Sequence, residues 1–97
     1  MSRRLENLRA KIDEVDSKII NLLCKRTKLV KKIKEYKKQN NLAIFDKDRE
    51  KRKYKMSKKL AKERGLNEDF IKKLFKLIIE ENKKWRKLNF QTGKNLI

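Results

Sequence analysis

Arg26 stands where the surrounding pattern calls for a leucine. From Leu5 the chain carries an apolar 3–4 repeat through Leu8, Ile12, Val15, Ile19 and Leu22, then Arg26, then Leu29 and Ile33. A seam that regular predicts one continuous helix with a side buried against other helices. A guanidinium within it must be paired or must receive an anion, because an unpaired buried charge is costly. The planar fork of arginine matches a carboxylate with two hydrogen bonds. Lys37 follows Arg26 by 11 residues, three helical turns, so the two share a face. They lie roughly 16 Å apart along the axis. Arg9 precedes Arg26 by 17 residues, which is roughly 25 Å and about a quarter turn away. One straight helix cannot bring Arg9 to the same small ligand, but the partner's copy in an antiparallel dimer can.

Two more polar sets fall into register. Asp46, Arg49, Glu50 and Lys53 sit at i, i+3, i+4 and i+7, on one face of a second helix. Asn82 and Arg86 sit at i and i+4 on a third, beside Ile78. Each set has a plainer reading. The second-helix set is also what a solvated salt-bridge face looks like. Asn82 and Arg86 also suit the polar edge of an amphipathic helix, and Arg26 suits a polar residue that sets register in a seam.

Composition removes several chemistries. The chain has no histidine and one cysteine, Cys24. A His/Cys metal site, a thiol–imidazole pair, a Ser–His–Asp triad and an intrachain disulfide are all excluded. No metal and no cofactor is expected. Cys24, beside Leu22 and Leu23, reads as a small hydrophobe. The net charge of +18 invites a nucleic-acid reading. Yet 23 of the 31 basic residues are lysines, spread along the whole chain. Lysine is the ordinary filler of solvated helix faces, so nucleic acid is not the expected partner. No apolar run of membrane-spanning length occurs, and the expectation is a cytoplasmic protein with no membrane association.

The elements that must hold these residues are helical. The 97 residues contain no proline and only two glycines, so little interrupts a helix. Helix 1 is expected over about residues 3–39, ended by Gln39-Asn40-Asn41. Helix 2 is expected over about 46–63, with Asp46 as N-cap and Gly65 free to take positive φ after its end. Helix 3 is expected over about 67–90, capped by Asn67, with a polar, frayed tail over Gln91–Asn95. The whole chain, 1–97, reads as a single all-α domain of three helices. Helix 1 would run roughly 55 Å, whereas a compact domain of this size has a diameter in the low thirties of Å. One subunit cannot cover it. An intertwined homodimer is therefore expected.

Taken in order and spacing, these stretches resemble the all-helical chorismate mutase family over nearly the whole chain. They are Leu8-Arg9-Ala10-Lys11-Ile12-Asp13-Glu14-Val15-Asp16, Leu22-Leu23-Cys24-Lys25-Arg26, Lys34-Glu35-Tyr36-Lys37, Asp46-Lys47-Asp48-Arg49-Glu50 and Leu74-Phe75-Lys76-Leu77-Ile78-Ile79-Glu80. The resemblance implies an interlocked dimer with two equivalent sites, each borrowing one arginine across the interface. It implies that Arg9 of one chain and Arg26 of the other clamp the two carboxylates of chorismate. Lys37 would reach the ether oxygen, Asp46 and Glu50 the ring hydroxyl, and Arg49 and Asn82 a carboxylate. The chain departs from the family at Arg86, where glutamine or glutamate is usual. Arginine there either offers the ether oxygen a second full charge or swings out and leaves Lys37 alone.

The reaction so implied, chorismate to prephenate, is a unimolecular pericyclic rearrangement in phenylalanine and tyrosine biosynthesis. It needs no nucleophile, metal or obligatory proton transfer, so the missing histidine is no obstacle. Arginine clamps would hold the reactive conformer. A fixed cation would stabilise the negative charge that grows on the ether oxygen. Three alternatives stand beside this reading. One is an isochorismate-pyruvate lyase on the same fold, another a basic non-catalytic helical dimer that binds nucleic acid. The third is a helical dimer with a degraded site.

Overall fold

The computed structural model describes the backbone of residues 2–44 and 46–96, and the side chains of residues 2–84 apart from Phe45. Every element among the described residues is α-helical: α1 (Arg3–Gln39), α2 (Lys47–Glu63) and α3 (Glu68–Leu96). They form two units, residues 1–42 and residues 43–97.

The first unit is α1 with its caps. Ser2 is the N-cap: its Oγ accepts the Leu5 N–H at 3.1 Å, and Glu6 sits in the first turn. At the other end Asn41 takes a φ of 55°. The Leu42 N–H then donates to the Lys37 carbonyl at 2.8 Å and the Asn41 N–H to the Lys38 carbonyl at 3.3 Å. This paired closure satisfies carbonyls that the helix end would leave open. Asparagine is among the few L-residues that enter the left-handed region at modest cost, so the break falls at Asn40-Asn41.

Along α1 no side chain is buried. The seam residues Leu5, Leu8, Ile12, Val15, Ile19, Leu22, Leu29 and Ile33 are between 46% and 64% exposed. From Leu5 to Ile33 this apolar stripe is about 42 Å long. Monomeric proteins rarely expose so large a contiguous apolar patch. Completing the burial of each of these side chains is worth roughly 1 kcal/mol, so on the order of 8 kcal/mol per chain is left ungained. Cys24 is exposed as well.

The second unit is a hairpin of α2 and α3. Asp46 caps α2, its Oδ1 accepting the Arg49 N–H at 3.0 Å. Gly65, at φ 69°, closes α2 with the same pair of bonds: Leu66 N–H to the Ala61 carbonyl at 2.8 Å and Gly65 N–H to the Lys62 carbonyl at 3.3 Å. Asn67 then caps α3, accepting the Phe70 N–H at 2.9 Å. The short link folds α3 back along α2. Ala61 and Ser57 are the buried residues of α2. Ile71, Phe75, Ile78, Ile79, Asn82 and Lys83 form the half-buried stripe of α3. Both buried positions of α2 are small, which lets the larger α3 side chains approach. Ser57 satisfies its hydroxyl by donating to the Tyr54 carbonyl at 2.8 Å.

α3 runs to Leu96, past the end expected near residue 90, and Gln91–Asn95 are helical rather than a frayed tail. Gly93 disfavours a helix interior by only about 1 kcal/mol relative to alanine. No proline follows to force an end.

Candidate active site

The site residues on α1 occupy one register. Arg26, Val30, Lys34 and Lys37 are half-buried and recur every three or four residues, the spacing of a single helix face. Partial burial pushes the Arg26 guanidinium below the ordinary arginine range. The guanidinium is held in a poorly solvated position while keeping its charge. The Thr27 hydroxyl, next in sequence, is turned back onto the Leu23 carbonyl at 2.9 Å. Arg9 is exposed and remains two dozen ångströms up the same helix from Arg26, by about 1.5 Å per residue. α1 alone therefore does not bring Arg9 to Arg26.

On the hairpin, Asp46, Arg49 and Glu50 gather in the first turn of α2. Asp46 and Arg49 are exposed and tied to each other through the cap. One carboxylate oxygen of Asp46 thus has a structural duty, which fixes the carboxylate at the helix start. Glu50 is half-buried, and its Oε1 lies 2.8 Å from Lys83 Nζ on α3. Asp46 and Arg49 keep the solvated character that a salt-bridge face implies, whereas Glu50 and Lys53 do not. Instead Glu50 pairs across to α3, and Lys53 lies over the Phe75 ring at 5.9 Å from its centroid. Asn82 is half-buried beside Lys83 in sequence. The side chain of Arg86 lies outside the described residues.

Lys83 carries no distinguishing mark in the sequence. With 23 lysines spread along the chain, no single one stands out by type. The available signal was position: Lys83 is one turn beyond Ile79 on the apolar stripe of α3. Tyr54, one turn after Glu50, belongs to the same cluster. Burial raises its phenol above the ordinary value near 10, Glu50 and Glu80 push it further up, and Lys83 pulls it back.

A groove of about 290 Å³ opens elsewhere on the hairpin. It is lined mainly by Met56, Leu60, Ala61, Leu66, Ile71 and Phe75. Lys53 and Arg64 also line it, but Asp46, Arg49, Glu50 and Asn82 do not, so the polar cluster around Glu50 is the stronger candidate. Among the described residues no three His, Cys, Asp or Glu side chains converge to hold a metal ion. No helix of the described residues is long and apolar enough to cross a membrane.

Residues 8–87 match the family chorismate mutase type II, a span that contains all eight candidate positions from Arg9 to Arg86. A chorismate mutase of Methanocaldococcus jannaschii is 38% identical over 95 residues, covering 98% of this chain and 96% of its own. Bifunctional chorismate mutase/prephenate dehydratases of Buchnera aphidicola are also similar. The protein from subspecies Schizaphis graminum is 44% identical over 78 residues, and that from Acyrthosiphon pisum is 43% identical over 74. These matches cover 80% and 76% of this chain but only 20% and 19% of the bifunctional proteins. An all-helical chain, a charged guanidinium in the seam of its longest helix and a family match over four-fifths of its length agree: the chain belongs to the chorismate mutase type II family.

Proposed function

We propose that this chain is an isomerase that converts chorismate to prephenate, working as a homodimer with two sites. The observation that carries the reading is the α1 face of Arg26 and Lys37, half-buried cations in a chain that belongs to this family. In this reading Arg26 of one protomer and Arg9 of its partner each grip a carboxylate, which fixes the folded conformer and replaces solvent around the dianion. Lys37 faces the ether oxygen. Because that oxygen gains charge as its bond to carbon stretches, Lys37 stabilises the transition state more than the ground state. Asp46 and Glu50 accept from the ring hydroxyl, while Arg49 and Asn82 support a carboxylate. Arg86 either joins Lys37 at the ether oxygen or swings out and leaves Lys37 alone.

The uncovered α1 stripe supports the dimer. A second copy of α1 supplies an apolar surface of matching length, and it supplies the Arg9 that the first copy cannot deliver. The cytoplasmic setting expected from the sequence is part of the same proposal.

The test is incubation of purified protein with chorismate and, separately, with isochorismate. Loss of chorismate absorbance with formation of prephenate supports the mutase. Pyruvate release from isochorismate alone assigns the lyase instead, and inertness toward both rejects catalysis on these substrates.

A further inference from the structure

We infer that Lys83 is a positioning residue that aims Glu50 at the ring hydroxyl of the substrate; the inference rests on the role proposed above for Glu50. The two residues come from different helices, 33 positions apart in sequence, and meet at 2.8 Å. The contact is therefore a product of the hairpin fold rather than of helical spacing.

Its exposure argues against a stabilising purpose. The Lys83 side chain is 42% exposed and that of Glu50 26%, and ion pairs this open to water contribute little to folding. What such a pair does contribute is orientation. A glutamate has three side-chain torsions and, unpaired, samples several rotamers. An ammonium at hydrogen-bond distance from Oε1 selects those that keep the carboxylate between the two helices. A carboxylate presents about four lone-pair directions on two oxygens, so Glu50 keeps capacity to accept a hydroxyl while Lys83 holds it.

The other groups nearby do not replace Lys83. Lys53, one turn along α2 from Glu50, is directed onto the Phe75 ring. Tyr54 is half-buried and shares the field of both partners, which places the pair and the phenol in one electrostatic cluster. Lys83 also neutralises an otherwise repulsive carboxylate in a site meant for a dianion.

The test is a double-mutant cycle with steady-state kinetics on chorismate. Lys83→Met keeps the stem and removes the charge; Lys83→Arg keeps the charge; each is made alone and in a Glu50→Gln background. The ring-hydroxyl contact is made in ground and transition states alike, so Lys83→Met is expected to raise KM about tenfold with kcat within about twofold. Thermal midpoints should stay within about 3 °C of wild type, as for an exposed pair. Lys83→Arg should restore most of the affinity. With Glu50→Gln in place, Lys83→Met should change KM by less than about twofold, because nothing is left to orient. Three results overturn the inference: a full Lys83→Met effect in the Glu50→Gln background, no effect with Glu50 intact, or a loss matched by collapse of thermal stability. Inert wild-type protein defeats the mutase reading and this inference together, whereas active wild-type protein with any of those three results defeats this inference alone.

Discussion

Replacing Arg26 with leucine should make the protein more stable and nearly inactive. The seam of α1 is apolar on both sides of Arg26, at Leu22 and at Leu29. Burial already disfavours its charged form even within one chain. The sign matters. A base whose folded pKa is lowered is harder to charge in the folded state, and the resulting cost is present at every pH below that range, hence at all working pH values. Leucine removes that cost and adds apolar contact at a half-buried position, worth about 1 kcal/mol per chain. For a dimer this amounts to about 2 kcal/mol, or roughly 4–8 °C in thermal midpoint. Loss of a guanidinium that clamps a carboxylate should reduce kcat/KM by about 10²–10³-fold or more. Differential scanning calorimetry and chorismate turnover on the same preparation give both numbers. A variant that is both active and more stable would show that Arg26 does not bind substrate. One that is destabilised by several kcal/mol would show that the contacts Arg26 makes within its own chain outweigh the cost of burying its charge.

Three shorter predictions follow from the same geometry. Lys37→Ala should lower kcat by about 10²–10³-fold, as for removal of one transition-state donor, with circular dichroism and dimer mass unchanged. Gly65→Ala should lower stability by about 1 kcal/mol, measured by urea unfolding, because φ is 69° there and an added Cβ is disfavoured in the left-handed region although nothing obstructs it sterically. Tyr54, whose phenol is raised above its ordinary value near 10, should make the fold lose stability as pH climbs past the unfolded tyrosine range. Its protonated form is favoured in the fold, and below that range the contribution is fully present. Tyr54→Phe should flatten the decline in thermal midpoint between pH 9 and pH 11, and an unchanged decline would assign it to other groups.

How much of this could be read from the residues depends on how local each signal is. Asp46, Gly65 and Asn67 carry their helix ends in their own side chain or φ, so the sequence alone reveals those caps. Arg26 was visible because the pattern around it is regular enough for one guanidinium to break it. Lys83 was not, since its meaning arises only when α3 folds back along α2 and meets Glu50. The continuation of α3 as far as Leu96 was equally hidden, because Gln91, Thr92 and Gly93 resemble a stop although none is strong enough to make one. Ser57 as a buried anchor of α2 went unnoticed for a similar reason. Its hydroxyl is satisfied by the backbone one turn earlier, a contact no hydropathy pattern displays. Arg9 belongs to a different category, for in the proposed dimer its purpose lies in a second chain.

Mixing two inactive variants tests whether each site is shared between protomers. Arg9→Ala and Arg26→Ala should each be nearly inactive alone. Unfolded together and refolded as a mixture, they form heterodimers in which one site receives intact Arg9 from one chain and intact Arg26 from the other. With half the dimers mixed and one site in two restored, chorismate turnover should recover to about one quarter of wild type. A mixture that stays as inactive as its components, with mixed dimers confirmed by mass, would contradict a site shared between protomers.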